Sequence, residues 1–564
     1  MGVRRAMEMV LAEANNGEGP LFTFGPLIHN KQVLELLESK GVKAVEDLNS
    51  LKAGRIVIRA HGIPPQKRGE LEKTGLKILD ATCPRVTRVQ KIIRSYTRKG
   101  CSAIIVGDKD HAEVIGLMGH SETPAYLIQS VKDVSSLPDL EPLFVVAQTT
   151  QNEQNYREVV NALKGRFPRI LIFDTICGAT RQRQEEVRNF SGQVDAVVVV
   201  GGYHSGNTQR LAQVSKETGI PTFHVETEKE LDKKDLAGME IIGVTAGAST
   251  PNWIIKNVVR KIERIRGRRE TSFTRLVKRA IKFFVLSNLI VASSAFSFTY
   301  AVSILSKNIT GVAFPTLAFL YIYAMHTINR YLDKGASAYS DPERASFLKR
   351  HWRMLNLTAL CAIAAALAIS CSISLITFFA LSALSLLGII YSVPLVPASM
   401  RHRWPYSRIK DIPGSRSLSE ALAWMTVIIF LPMLGEHQIA WPAEIISAVV
   451  VFLMAYTRSA LFDIFQAQGD LIVGTETLPI TIGERKALAL LKIILMTTGG
   501  ILIVSPLLGL TSIFSYLILL PVLTLSLCLH AYEKRWLYPG IPFEALVESN
   551  FFLAGLLAVV WQCL

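Results

Sequence analysis

Residues 79–86 read LDATCPRV, and residues 173–180 repeat this pattern as FDTICGAT. In both copies a short β-type run ends at an aspartate, a cysteine follows three residues later, and a helical pattern begins directly after the cysteine. The positive end of a helix dipole favours the thiolate form of cysteine, which is the form that binds metals. We interpret Cys83 and Cys177 as equivalent metal-ligand candidates at two strand-to-helix turns.

The repeat extends to the start of the chain. An arginine lies five residues after the first of these cysteines and four residues after the second. The chain opens with MGVRRA, another amphipathic helical start, and aligning either of its arginines with the repeat places a third cysteine just upstream of Met1. We therefore expect a third metal ligand to precede this sequence. A chance similarity between two short segments is the alternative.

Short β-rich runs alternate with amphipathic helical patterns through about the first 265 residues. This alternation favours α/β layers built on parallel sheets, because each helix returns the chain to the same edge of a sheet. The predicted strands are residues 55–59, 103–107, 143–147, 170–174, 196–201 and 241–244, and helices are predicted between them, for example over 31–39 and 86–99.

The composition is that of a folded protein with a basic surface. Of 564 residues, 50% are hydrophobic and 19% are charged, which excludes disordered, collagen-like and small disulfide-bonded proteins. We attribute the net charge of +15 to contact with a membrane surface rather than with nucleic acid. Four of the seven cysteines lie in apolar blocks, where they serve as small hydrophobic residues. The chain opens without a secretory signal pattern, so we expect the other three in a reducing, cytoplasmic environment.

Beyond about residue 280 the chain consists of apolar blocks, each near the roughly 20 residues that a bilayer-spanning helix needs. We predict nine membrane helices behind a basic linker at residues 266–282. Charged loops alternate with loops that hold few positive charges, so the positive-inside rule places the amino terminus and the charged loops on the cytoplasmic side. The predicted helices cover residues 283–304, 311–331, 354–371, 373–391, 417–434, 441–461, 487–507, 510–530 and 546–563.

Polar side chains follow several predicted strands of the first half, at the edge where ligands of open α/β sheets bind. His29, His61 and His111 each come after a β-type run, close to glycine or proline. The segment GGYHSGNT at residues 201–208 and the segment TAGAST at 245–250 add hydroxyl and amide groups before helices. Such groups at helix starts suit a phosphate ligand, whereas any one of these histidines alone is more often structural.

Together these segments resemble the hydroxymethylbutenyl diphosphate reductase family, also called LytB or IspH, over about residues 2–262. The resemblance implies a three-lobed α/β fold around a 4Fe-4S cluster held by three cysteines, of which Cys83 and Cys177 match two. Cys101 is not the third, because its segment matches a variable stretch before a strand. The motifs that carry the resemblance are IHN at 28–30, AHG at 60–62, DATCP at 80–84, QTT at 148–150 and VTAGAS at 244–249.

The resemblance further implies reductive dehydroxylation of 4-hydroxy-3-methylbut-2-enyl diphosphate to isopentenyl and dimethylallyl diphosphates. It makes Glu113 the acid that protonates the leaving hydroxyl, with Thr149 orienting that hydroxyl and His111 beside them as a further catalytic residue. No flavin or nicotinamide motif is present, so we expect an external electron donor of the ferredoxin or flavodoxin type. Gly206 departs from the family, which often has a serine there. The residues assigned to the substrate are His29, His61, His111, Thr149, Ser205, Asn207 and Ser249.

Acidic and amide residues cluster at the predicted cytoplasmic ends of membrane helices, where they are costly unless they serve a site. The segments NRYLD at 329–333 and DIFQAQGD at 463–470 hold the oxygen ligands that Mg²⁺ prefers. Residues 275–564 resemble the UbiA-type membrane prenyltransferases, in which Mg²⁺ bridges two such motifs to a prenyl diphosphate. Gln466 and Gln468 stand where acids are common in that family. The resemblance assigns Mg²⁺ to Asn329, Asp333, Asp341, Asp463 and Asp470, and the diphosphate to Lys410 and Arg458.

The first interpretation is a fusion that acts on hydroxymethylbutenyl and prenyl diphosphates and binds no nucleic acid. Residues 1–265 would be a reductase domain and residues 283–564 a multi-pass prenyltransferase domain of the inner membrane, with both sites on the cytoplasmic side. A second interpretation is a transferase whose first domain is an inactive regulatory or scaffolding module. A third is a membrane half that serves only as a degenerate anchor. Transport is disfavoured, because the acidic residues lie at helix ends and not at the bilayer midplane.

Overall fold

The computed structural model describes residues 2–16, 19–47, 51, 53–265, 271–306, 311–332, 339, 341–393, 408–435, 441–473 and 477–564. The chain divides into two compact units, Met1–Glu270 and Thr271–Leu564, and the division falls inside the predicted linker. Within the described residues, all strands belong to the first unit and the second unit is helical. The predicted order of an α/β domain followed by an all-α domain is confirmed.

The first unit holds three parallel sheets, in agreement with the predicted three lobes. In each lobe the first strand along the chain lies inside the sheet, the second strand pairs on one side of it and the third strand on the other. Lobes one and two continue with a fourth strand beyond the third. Because the strands are parallel, their carboxyl ends meet at one edge of each sheet, and the loops that follow them are brought together.

The strands have the following bounds. Lobe one has the order β2-β1-β3-β4, with β1 (Leu21–Phe24), β2 (Val42–Val45), β3 (Arg55–Ile58) and β4 (Lys77–Asp80). Lobe two has the order β6-β5-β7-β8, with β5 (Ser102–Val106), β6 (Ala125–Ile128), β7 (Leu143–Ala147) and β8 (Leu171–Phe173). Lobe three has the order β10-β9-β11, with β9 (Ala196–Val200), β10 (Thr222–Val225) and β11 (Ile242–Ala246).

Helices connect these strands and cover the sheets. The start of α2 is set by an N-cap, since the Asn30 side chain accepts a hydrogen bond from the Val33 N–H at 3.1 Å. Val33 and Leu37, one turn apart, are the buried residues of this helix. The helices are α1 (Gly2–Asn16), α2 (Lys31–Ser39), α3 (Pro65–Lys73), α4 (Pro84–Thr97), α5 (Ala112–Met118), α6 (Glu153–Arg166), α7 (Gly178–Asn189), α8 (Gly206–Glu217) and α9 (Asn252–Glu263).

All six predicted strands are present within two residues of their predicted bounds. The two most apolar of them, β7 and β9, are buried at every residue, as parallel strands covered on both faces must be. For β1 and β4 the sequence indicated only β-type runs before His29 and Cys83, and no pattern predicts β2, β6 or β10. Each of the last three is a four-residue strand at the edge of its sheet with partly exposed residues, so its hydrophobic signal is weak.

The second unit consists of helices that pack around one apolar core. Its largest buried side chains are Trp424, Tyr321, Phe298, Phe514 and Phe551. The helices are α10 (Ser272–Leu286), α11 (Leu289–Leu305), α12 (Ala313–Leu332), α13 (Pro342–Ile373), α14 (Leu375–Ile390), α15 (Ser415–Leu434), α16 (Trp441–Val473), α17 (Leu478–Ile482), α18 (Glu484–Leu507), α19 (Ser515–Glu533) and α20 (Ile541–Cys563).

Eight of the nine predicted membrane segments each fall on one of these helices, and the first, residues 283–304, covers the end of α10 and most of α11. In the described chain, six helices are long and apolar enough to cross a bilayer: α13, α15, α16, α18, α19 and α20. The helices α10 and α11 pass the same test only as a pair, and they are bent by 76° at their junction. The predicted number of nine is therefore approximate.

A helix break falls inside the first predicted membrane segment, residues 283–304. The chain breaks at Ser287–Asn288, where Asn288 has the left-handed conformation with φ 66°, and α11 begins only at Leu289. Residues 283–286 instead end the separate α10 helix. Their apolar side chains continue the hydrophobic run of α11, so composition alone does not locate the break.

Candidate active sites

Three histidines of the first unit lie together at the carboxyl edges of lobes one and two. His29 follows β1, His61 follows β3 and His111 follows β5. Their ring centroids are 5.3 Å (His29–His61), 5.4 Å (His61–His111) and 6.4 Å (His29–His111) apart. The structure thus brings three predicted substrate ligands, far apart in sequence, into one cluster.

Burial keeps these imidazoles uncharged near neutral pH. Desolvation lowers the pKa of His61 well below its usual value, and the His111 and His29 rings lower it further. Desolvation also lowers the pKa of His111, to about 4. Burial and the Arg59 guanidinium lower the pKa of His29. A neutral imidazole donates one N–H, so the cluster is suited to bind a phosphate through hydrogen bonds.

The orientation of the His111 ring is set by its place at the start of α5. Its Nδ1 accepts a hydrogen bond from the Glu113 N–H at 3.2 Å, which leaves the ring proton on Nε2. Gly206, at the start of α8, lies against the same ring, since a Cβ at position 206 would stand 3.2 Å from His111 Nε2. Glycine at position 206 therefore lets the third lobe approach His111 closely.

Glu113, in the first turn of the same helix, forms a buried pair with Thr149. The Thr149 N–H donates to Glu113 Oε1 at 2.7 Å, and the Thr149 hydroxyl donates to Oε2 at 2.9 Å. Burial raises the pKa of Glu113 to about 7, although both hydrogen bonds from Thr149 act in the opposite direction. A carboxyl group with this pKa is partly protonated near neutral pH and is suited to donate a proton.

The third lobe adds amide and hydroxyl groups from the start of α8 and from the loop after β11. The Ser205 and Ser249 hydroxyls are 3.4 Å apart. Asn207 is buried, and among the described residues neither its Oδ1 nor its Nδ2 has a hydrogen-bond partner. The same holds for His61 Nδ1. Buried polar atoms without partners are rare in folded proteins, so these atoms indicate a position that a polar ligand fills.

The two cysteine candidates occupy equivalent positions, directly after the fourth strands of lobes one and two. Cys83 precedes α4 and Cys177 precedes α7, and both side chains are partly exposed. The Cys83 N–H donates to the Ala60 carbonyl at 2.9 Å, and the Cys177 N–H donates to the Thr149 carbonyl at 2.9 Å. Each cysteine is therefore bonded to a loop that carries a site residue.

Two thiols at helix N-termini beside the histidine cluster fit two ligands of an iron–sulfur cluster. The start of α1 also lies here, since a Cβ at Gly2 would stand 2.3 Å from Cys83 Sγ. No group of three or more His, Cys, Asp or Glu side chains able to hold a metal occurs in the described part of the chain. Cys101 is buried in an apolar cluster with Phe144 and Ile105.

In the second unit, two predicted Mg²⁺ ligands lie on α16 and share one arginine. The Arg416 guanidinium is 3.4 Å from Asp463 Oδ1 and 3.2 Å from Asp470 Oδ2. The Ser417 hydroxyl donates to Asp463 Oδ2 at 2.6 Å, and both carboxylates are buried. Carboxylate oxygens are the ligands that Mg²⁺ prefers, so these two side chains are suited to hold a divalent cation.

The other predicted residues of this site are spread over several helix ends. Asn329 Oδ1 accepts a hydrogen bond from the Ser392 hydroxyl at 3.1 Å. Asp341 caps α13 and binds Arg344 through the backbone N–H and Nε, each at 3.0 Å. Lys410 is buried. Asp333 and the side chain of Gln468 lie outside the described residues.

Arg458, a predicted diphosphate ligand, lies in a buried charged network. Its guanidinium forms ion pairs with Glu420 and Glu548, and Nε donates to Glu548 Oε1 at 2.8 Å. The Ser459 hydroxyl donates to Glu420 Oε2 at 2.6 Å, and His326 Nε2 lies 3.4 Å from Glu420 Oε1. Two carboxylates thus neutralise the arginine that sequence reasoning assigns to the diphosphate.

Sequence reasoning missed three charged residues of the second unit that the structure places next to predicted ones. Glu420 and Glu548 could have been identified from the sequence, because an ionisable residue inside an apolar block needs a partner or a function. Arg416 stands near a helix start among polar residues, where a positive charge is ordinary, so no pattern singles it out.

Comparison with known proteins agrees with the geometry of the first unit. The family model described as LytB protein matches residues 1–263. The 4-hydroxy-3-methylbut-2-enyl diphosphate reductase of Geotalea daltonii is 43% identical over 264 residues, which cover 47% of this chain and 93% of that protein. The enzyme of the same name from Alkaliphilus oremlandii is 41% identical over 266 residues, covering 47% and 95%.

Among solved structures, a UbiA homolog from Archaeoglobus fulgidus bound to DMAPP and Mg²⁺ is 19% identical, with a TM-score of 0.35, and the match covers 50% of this chain and 99% of that one. The resemblance of the second unit to prenyltransferases continues to rest on its motifs. For the first unit the identity to the curated relatives extends over nearly their whole length. The chain therefore belongs, through its first 263 residues, to the LytB family.

Proposed function

We propose that the first unit reduces 4-hydroxy-3-methylbut-2-enyl diphosphate to isopentenyl and dimethylallyl diphosphates. One observation carries this proposal: Glu113, a buried carboxyl that titrates near neutral pH, lies in the first turn of the helix that His111 caps, and His111 belongs to a cluster of neutral histidines. The histidines supply hydrogen-bond donors for a diphosphate, and the carboxyl supplies a proton. The names of the relatives, which are 4-hydroxy-3-methylbut-2-enyl diphosphate reductases, support the same substrate.

The diphosphate binds among groups that carry no full positive charge. His29, His61 and His111 donate from neutral rings, and Asn207 supplies an amide whose atoms have no partner among the described residues. The N-terminus of the twelve-residue α8 helix adds backbone N–H groups and the positive end of its dipole. Ser205 and Ser249 complete the set from the same lobe.

Glu113 delivers the proton that the departing hydroxyl requires. Hydroxide is a poor leaving group. A proton that Glu113 donates to the departing oxygen therefore lowers the barrier. The Thr149 backbone N–H and hydroxyl each hold one carboxyl oxygen, which fixes the orientation of the Glu113 carboxyl. Cys83 and Cys177 would hold the iron–sulfur cluster, which supplies electrons and a Lewis-acid iron when it is bound.

The test is turnover by the full chain, purified without oxygen and supplied with a chemical one-electron reductant. We expect both five-carbon diphosphates as products, and we expect Glu113→Gln to lower turnover by about 100-fold or more. Glu158→Gln, at an exposed position of the same lobe, is the matched control and should leave turnover unchanged. Absence of turnover in an iron-loaded chain would favour the alternative, an inactive regulatory or scaffolding module.

For the second unit we propose UbiA-type prenyl transfer, with Mg²⁺ bridging Asp463 and Asp470 to a prenyl diphosphate. The buried position of both carboxylates supports this, since acidic residues inside an apolar unit are costly unless they serve a site. Asn329 and Asp341 would complete the ligand set. We expect Mg²⁺-dependent binding of a non-ionising geranyl thiolodiphosphate by the full chain, lost in Asp463→Asn and kept in the control Asp411→Asn. Binding that persists without Mg²⁺ would contradict the proposal.

The two activities would share the cytoplasmic face of the inner membrane. The six helices able to cross a bilayer support a multi-pass membrane protein. The positive-inside rule supports a cytoplasmic position for the charged loops, and an external donor of the ferredoxin or flavodoxin type would supply the electrons. In this arrangement one chain would both make five-carbon diphosphates and use prenyl diphosphates.

A further inference from the structure

The α10 helix separates its apolar and basic residues onto two opposite faces. Phe273, Leu276, Val277, Ala280 and Phe284 recur at intervals of three and four residues, which places them along one face. The basic residues fall between them, on the opposite face: Arg275, Lys278, Arg279 and Lys282. The helix contains no acidic residue.

The apolar face of α10 is exposed. Phe273 is 73% exposed, Leu276 is 65% exposed and Phe284 is 48% exposed. A surface helix of a soluble protein buries such a face, because each large apolar side chain gains about 1.5–3 kcal/mol when it leaves water. The apolar face of α10 is therefore suited to contact with an apolar medium rather than with water.

The carboxyl end of α10 is fixed to the second unit. The Arg344 guanidinium donates to the Val285 carbonyl at 3.3 Å, and the Phe283 and Phe347 rings meet edge to face at 6.0 Å. Lys282 also forms an ion pair with Glu343. These contacts hold the helix at its 76° bend from α11. If α11 runs across the bilayer, α10 lies nearly in the plane of the membrane.

We propose that α10 lies in the membrane interface, with its apolar face in the acyl region, and binds anionic phospholipid headgroups through Arg275, Lys278 and Arg279. Charge complementarity favours anionic lipids, since each basic residue near such a surface strengthens binding about fivefold. An amphipathic helix with a basic polar face and aromatic residues on its apolar face has the composition of an interfacial helix. This proposal does not depend on either proposed enzymatic activity.

The test is hydrogen–deuterium exchange of the full chain in lipid nanodiscs, read on peptides from residues 273–284. We expect exchange to be about tenfold slower or more in discs with about 30% phosphatidylglycerol than in discs of phosphatidylcholine alone. The triple variant R275Q/K278Q/R279Q should lose this difference. The matched control R485Q/K486Q/K534Q removes the same charge from exposed positions of other loops and should keep it.

Lys282 is left unchanged because of its ion pair with Glu343. A second variant, F273S/L276S, should exchange faster than the native chain in both lipids, because its apolar face no longer enters the acyl region. Unchanged exchange in α16 peptides shows that the variants are folded. Equal exchange of native α10 in both lipids would overturn the proposal.

Discussion

Thr149 donates two hydrogen bonds to the buried Glu113 carboxyl, one from its backbone N–H at 2.7 Å and one from its hydroxyl at 2.9 Å. The two bonds favour the ionised carboxylate, whereas burial favours the protonated acid, and burial is the larger effect. The resulting pKa of about 7 makes Glu113 the titrating group from which several measurable properties of the first unit follow.

Reductase turnover should fall as pH rises through about 7, because the proposed mechanism requires protonated Glu113 and its pKa is about 7. The measurement is turnover by the full chain between about pH 6 and about pH 9, with an excess of chemical reductant. A rate that stays level across this range would contradict the role of Glu113 as the acid.

Thr149→Val should move the fall in turnover to higher pH. The hydroxyl hydrogen bond lowers the pKa of Glu113, so removing it raises that pKa, while the backbone hydrogen bond persists. Thr149→Ser keeps a hydroxyl and is the matched control, with a pH profile close to that of the native chain. A lower rate with an unshifted profile would mean that Thr149 acts on the substrate alone.

Glu113→Gln should change the pH dependence of stability. The pKa of Glu113 is about 7 in the folded protein and near 4.5 in the unfolded chain, so the folded protein binds this proton more tightly. The free energy of unfolding therefore falls as pH rises from about 4.5 to about 7, by up to about 3 kcal/mol. The variant should lack this decrease. Thermal unfolding of both chains at the two ends of the range measures the difference.

Asn207→Ala should weaken diphosphate binding without destabilising the first unit. Neither amide atom of Asn207 has a partner among the described residues, so its removal breaks no internal hydrogen bond, whereas bound diphosphate would lose about 1–3 kcal/mol. Asn152→Ala is the opposite case, because Asn152 caps α6 through Gln154 and Asn155. It should cost about 1 kcal/mol of stability and leave binding intact. Pyrophosphate titration and thermal unfolding separate the two effects.

Arg458→Met should strongly destabilise the second unit, by about 3–5 kcal/mol, because it removes the guanidinium that pairs with the buried carboxylates of Glu420 and Glu548. Neutralising both acids in the same chain, as R458M/E420Q/E548Q, should restore much of the loss. The measurement is the unfolding temperature in detergent. If the single variant is as stable as the native chain, the network does not hold these helices together.

Strands that are apolar throughout were predictable from the sequence, whereas the short edge strand β2 was not. The apolar runs of β7 and β9 are predictable because strands covered on both faces must be apolar throughout. The four-residue edge strand β2 is not, since two of its residues are exposed and its pairing depends on β1.

The candidate site of the first unit was predictable for the same topological reason. Parallel strands place their carboxyl ends at one edge, so residues such as His29 and His61 converge whatever their distance in sequence. Contacts that depend on side-chain geometry were not predictable. The 3.2 Å approach of Gly206 to His111 and the position of Arg416 between two aspartates follow from packing between elements, which no local pattern encodes.

The three lobes share one strand order, and each contributes residues to the same site, so the first unit cannot be divided into active fragments. His29 and His61 come from the first lobe, His111 from the second and Asn207 from the third, so no lobe alone contains a working set of groups. A fragment that contains one correctly folded sheet would still have no reductase activity. Selection on catalysis therefore acts on the packing between lobes. A substitution deep in one lobe that shifts a neighbouring lobe by about an ångström changes the reaction rate, although it touches no reacting group.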